Sequence, residues 1–164
     1  MARQKERPWR EFFAGLAARP GTVLGPSQWV SISQLEVDLY GGLIADLDPM
    51  HNDPEWEPGI ERWGGTIALG TQLLSMLPAF LAEYGFPVRR DGVTFEPRGL
   101  PRVRFVAPLP IGHRARDRGV LTAVEPDATG AWIVRSEHTL EREGLERPFL
   151  FAQLVSRFVE EPTA

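Results

Sequence analysis

The stretch "TIALGTQLLSMLPAFLAEY", residues 66–84, is apolar on nearly every side for about five helical turns. A helix without a polar face must be buried all round. Pro78 lies inside it and cannot donate a hydrogen bond to residue 74, which predicts a kink there. Downstream the period changes. "RVRFVAP", "HRARDRGVLTAVE", "AWIVRSEHTLERE" and "PFLFAQLVSRFVE" read as extended stretches, separated by the turn signals "PLPIG", "PDATG" and "EGLERP". Trp132, Val134 and Ser136 alternate with Ile133, Arg135 and Glu137, as on a half-buried strand. Connections this short make the sheet antiparallel. One apolar helix ahead of such a sheet predicts an α+β fold with the strands wrapped around the helix.

Upstream, Ser33 and Glu36 form a capping-box pattern. Leu35, Leu39 and Leu43, with Tyr40 and Ile44, follow at helical spacing as one apolar face. Gly41 and Gly42 weaken this helix, and Pro49 stops it near Asp46. Residues 52–65, with Pro54, Pro58 and three glycines, read as loop, and residues 85–100 as a long irregular connection. The N-terminal "MARQKERPWREFFAGLAARPG" has basic residues before a short apolar run, but Glu6 and Glu11 interrupt them, so a surface helix from Trp9 to Ala18 is the reading rather than a signal peptide. We find no repeat and no linker. The expectation is one domain over 1–164, with 1–22 a helical extension and 23–158 the core.

The net charge of −4 argues against a nucleic-acid partner. No apolar run is long enough to span a bilayer. Absence of cysteine removes thiolate chemistry and suits a cytoplasmic protein.

Chemistry concentrates in "ADLDPMH", residues 45–51. Asp46, Asp48, His51 and Asp53 offer three carboxylates and an imidazole that would suit a divalent ion. Asp53 before Pro54 also fits a helix N-cap. Alternatively Asp46 and His51, brought together across a helix end and a proline turn, form an acid–base pair on one water, with burial raising the aspartate pKa. The plain reading is a helix end and a polar loop. Gly64, Gly65 and Gly70 bracket the apolar helix, where free N–H groups suit a developing oxyanion or simply form a tight turn. Ser75 orients a carboxylate or bonds back to its own helix. Arg102, Arg104, Arg114, Arg116 and Arg118 alternate on strands and would share a face, either gripping phosphate or facing solvent. Trp63 lines a ligand site or packs on the core. His113 and His138 read as structural.

"ADLDPMH", "GGTIALGTQLLSML" and "LPRVRFVAPLPIGHRARDRG", in this order, resemble the MaoC-like dehydratases, the (R)-specific enoyl-CoA hydratase group, and within them the nodulation-protein-N-like branch. The resemblance runs from about residue 23 to residue 158. It implies a hot-dog fold and a homodimer or dimer of dimers. It implies that Asp46 and His51 are the catalytic pair, that the Gly70 N–H holds the thioester oxygen, and that Ser75 supports the aspartate. The implied partner is an acyl thioester of coenzyme A or of an acyl carrier protein, with no metal and no cofactor beyond that coenzyme A. Asp48, Trp63, Gly64, Gly65, Arg102 and Arg104 are then expected around the substrate. Asp48 replaces the usual asparagine and Leu69 the usual histidine, and two carboxylates so close should raise one pKa.

The expected reaction is reversible hydration of a trans-2-enoyl thioester to a (3R)-hydroxyacyl thioester. A non-catalytic acyl-thioester-binding module and a metal-dependent hydrolase using Asp46, Asp48 and His51 are the alternatives.

Overall fold

The computed structural model describes residues 8–88 and 92–161. The basic residues of the extreme N-terminus lie outside them. Among the described residues, seven strands form one antiparallel sheet. Its centre is β5 (Arg114–Pro126), β6 (Trp132–Arg142) and β7 (Leu150–Glu160), the three long alternating stretches. β3 (Val93–Gly99) and β4 (Val103–Phe105) both pair with β7, while β1 (Val23–Leu24) and β2 (Val30–Ser31) pair with β5. β6 buries Val134, Ser136, His138 and Leu140, and β7 buries Leu150, Ala152, Leu154, Ser156 and Phe158. This is the period-2 pattern of one face turned to a core. On that face lie α5 (Gly70–Ser75) and α6 (Leu77–Glu83), whose Leu73, Leu77, Phe80 and Leu81 join the same buried cluster.

Three expectations need correction. The apolar helix is two helices. Residues 66–69 are not helical, and the chain breaks at Met76, where Pro78 falls in the first turn of α6 and needs no donor of its own. Nor is it buried all round, since Thr71, Ser75, Ala79 and Glu83 form an exposed stripe. The connection at 85–100 contains β3, which the proline and glycine content obscured; a β-bulge between Pro97 and Gly99 accommodates them. The loop at 52–65 contains α4 (Glu57–Trp63), preceded by the single turn α3 (Pro49–Asn52).

The helix α1 (Pro8–Ala17) is more than a surface extension. Phe13 is fully buried, stacked on Trp132 with centroids 5.7 Å apart and set 5.0 Å from Phe158. In α2 (Gln34–Ile44) the capping box is formed: Ser33 N–H donates to Glu36 Oε2 at 2.7 Å, and Glu36 N–H donates to Ser33 Oγ at 3.3 Å. Ser33→Ala is expected to cost about 1 kcal/mol, read as a lower urea midpoint with an unchanged slope; a midpoint equal to wild type would refute it. The apolar face, however, points outward. Leu35, Leu39 and Leu43 are 66%, 60% and 86% exposed, and α2 instead buries Val37 and Gly41. Helical spacing identified the stripe but not what covers it.

Candidate active site

Gly41 shapes the site from inside α2. A Cβ there would lie 2.7 Å from the Asp46 carbonyl oxygen, so only glycine lets the chain fold back onto the helix. Ala45 closes α2 in the left-handed region at φ 59°, and Asp46 N–H donates to Gly41 O at 2.9 Å. Asn52 Nδ2 donates to the carbonyls of Asp46 and Asp48, both at 3.3 Å, stapling the turn. Asp48 is the N-cap of α3, its Oδ1 accepting from Met50 N–H at 3.0 Å, with Pro49 at the first helical position. The Asp–Pro cap expected at Asp53–Pro54 is therefore made one motif earlier. Asp53 ends α3 and accepts from Glu55 N–H.

One turn of α3 carries His51 to the same cavity as Asp46. His51 Nδ1 lies 2.8 Å from the Ile67 carbonyl oxygen. A carbonyl can only accept, so Nδ1 carries the proton, and in the neutral ring Nε2 is left as an acceptor. The cavity, of about 490 Å³, is lined by Asp46, His51, Trp63, Leu69 and Gly70, with Phe105, Leu109 and Phe149 among its apolar walls. Gly70 opens α5, and its N–H has no backbone acceptor among the described residues. A Cβ on Gly70 would come within 2.5 Å of the Phe105 ring, so glycine is what allows that wall to close. Asp46 is exposed in the single chain, so the burial expected to desolvate it is not supplied by this chain alone.

The remaining site candidates scatter. Gly64, at φ 80°, is the left-handed cap of α4, and neither it nor Gly65 lines the cavity. Asp48 is held by its capping role outside it. Ser75 Oγ donates to Gln72 O at 2.6 Å and lines a second cavity, of about 510 Å³, with Pro78, Arg98 and Leu100. The five arginines do not form one stripe, because β4 and β5 lie on opposite sides of β6 and β7. Arg114 pairs with Glu143, and Arg116 and Arg118 each donate to Glu141 at 2.7 Å. Arg102 lies 5.7 Å from the Phe151 ring centroid, whereas Arg104, beside the cavity-lining Phe105, is exposed with no ion pair among the described residues. Among the described residues, no three His, Asp or Glu side chains are grouped to hold a metal ion, and no helix is long and apolar enough to cross a membrane.

No family model matches the chain. It is 37% identical over 149 residues to the 3-hydroxyacyl-thioester dehydratase Z of Mycobacterium tuberculosis, covering 91% of this chain and 97% of that one. It is 34% identical over 143 residues to nodulation protein N of Rhizobium leguminosarum bv. viciae, covering 87% and 88%. In fold it superposes on the MaoC-like dehydratase of Rhodospirillum rubrum with a TM-score of 0.67 at 16% identity, over 88% of this chain and 94% of that one. With such identity along nearly its whole length, the chain belongs to the 3-hydroxyacyl-thioester dehydratase family, and its fold is that of the MaoC-like dehydratases.

Proposed function

We propose that the protein reversibly hydrates a trans-2-enoyl thioester of coenzyme A to the (3R)-hydroxyacyl thioester, with Asp46 and His51 holding the reacting water. The observation that carries this reading is the convergence of Asp46, His51 and Gly70 on one largely apolar cavity. Hydration adds a hydroxyl to the β-carbon and a proton to the α-carbon. One proton must therefore travel from water to carbon, and a carboxylate beside an imidazole acceptor is suited to carry it. The Gly70 N–H is the donor for the enolate-like thioester oxygen as negative charge builds there. To Arg104, exposed and without an ion pair among the described residues, we assign the phosphates of coenzyme A.

The same thioester chemistry serves coenzyme A and an acyl carrier protein; the first is the form we assign. We read the assembly as a homodimer or a dimer of dimers in the cytoplasm, and the exposed leucine strip of α2 supports a second copy. The test is a spectrophotometric assay with crotonyl-CoA and longer trans-2-enoyl-CoAs, following loss of the conjugated thioester's absorbance. Turnover is expected. Silence at every chain length, with binding by calorimetry, would instead favour a binding module.

A further inference from the structure

We infer that Gln34 and Thr66 are positioning residues for His51, a bracket that holds the imidazole from both sides; this rests on His51 being half of the water-holding pair. His51 depends on two separate segments: its own backbone in α3, and the Ile67 carbonyl that receives its Nδ1 proton. The two segments are joined directly by Ile67 N–H, which donates to Met50 O at 3.0 Å. Gln34 joins them a second time. Its Nε2 donates to His51 O at 2.7 Å, and its Oε1 accepts from the hydroxyl of Thr66, the residue before Ile67. The remaining Nε2 proton goes to Asp38 Oδ1 at 2.7 Å.

This network leaves the amide no alternative orientation. Turned over, its oxygen would face the Asp38 carboxylate and the His51 carbonyl, two acceptors. Gln34 is also the first residue of α2, inside the capping box, so its backbone is fixed between Ser33 and Glu36. Thr66 is buried, and its carbonyl accepts from Ile111 N–H at 3.0 Å, tying the far side of the bracket to the connection between β4 and β5. Neither Gln34 nor Thr66 lines the cavity, so neither touches substrate. Their action is on the direction in which His51 presents Nε2.

The experiment compares Gln34→Leu, Thr66→Val and Thr66→Ser by two readouts, enoyl-CoA kinetics and the NMR titration of the His51 ring. Gln34→Leu and Thr66→Val are expected to lower kcat about tenfold, to leave KM within about twofold, and to shift the His51 titration midpoint. Thr66→Ser keeps the hydroxyl and should restore both. A loss of thermal stability with the His51 titration and kcat unchanged would overturn the inference, since that is what a merely structural clamp would do. Should the wild type hydrate no enoyl thioester, movement of the His51 resonances in Gln34→Leu and Thr66→Val still supports the bracket, while their constancy refutes it. The failure of the proposed reaction and the failure of the bracket are thus separately visible.

Discussion

Asp46→Asn is expected to abolish turnover, with kcat falling about a thousandfold and the melting temperature staying within about 2 °C of wild type. The asymmetry follows from how Asp46 is held. Its backbone is pinned by the bond to Gly41 O and by Asn52, but its carboxylate has no hydrogen-bond or ion-pair partner among the described residues. The side chain therefore contributes little to stability and is free for a ligand. An amide of the same shape keeps the backbone intact but cannot take a proton from water. Asp48→Asn is the matched control. The capping bond to Met50 N–H can be made by asparagine as well as aspartate, so both activity and stability should stay near wild type. Wild-type activity in Asp46→Asn, or an equal loss in both variants, would remove Asp46 from the reaction.

The asymmetry between these two aspartates also marks how far the sequence could be read. The three long strands and the capping box of α2 depend on local rules and were legible from residue spacing, whereas the kink expected at Pro78 is a full break at Met76. The neighbourhood of Asp46 and His51 was legible as a short motif. What spacing could not show were the long-range partners. Gly41 looked like a helix weakener, yet its missing Cβ makes room for the Asp46 carbonyl. Nothing in the local sequence marks Gln34, because two of its partners lie 17 and 32 residues away. Likewise the outward turn of Leu35, Leu39 and Leu43 is set by the other side of α2, where Val37 reaches the core and Gly41 is buried under the Asp46 turn. Helical spacing alone carries no sign of which stripe faces inward when both are apolar. Pro97 and Gly99 hid β3 because a bulge, a tertiary accommodation, absorbs them.

Asp117→Ala is expected to destabilise the protein by about 1–3 kcal/mol, lowering the melting temperature by roughly 5 °C. Asp117 and His138 are both fully buried, on β5 and β6. Nδ1 of His138 lies 2.8 Å from Asp117 Oδ2, and Tyr84 OH donates to the same oxygen at 3.0 Å. The carboxylate only accepts, so it takes the Nδ1 proton; in the neutral ring Nε2 then accepts from the Ser136 hydroxyl, 2.8 Å away. Burial first, and then the Asp117 charge, push the Tyr84 phenol above its ordinary pKa, so it remains a donor. Alanine at 117 would strand the His138 imidazole N–H away from water, whereas the Tyr84 hydroxyl keeps the main-chain oxygen of residue 117, 3.0 Å away, and an unmade buried bond costs more than a made one gains. Asp117→Asn retains one acceptor and should lose less. None of these residues lines the cavity of Asp46 and His51. At a temperature where the variant is still folded, kcat should therefore match wild type. A urea midpoint for Asp117→Ala within error of wild type would show that the network is not a stabilising feature of the core. A selective loss of kcat without loss of stability would move the Asp117–His138 pair from structure to chemistry.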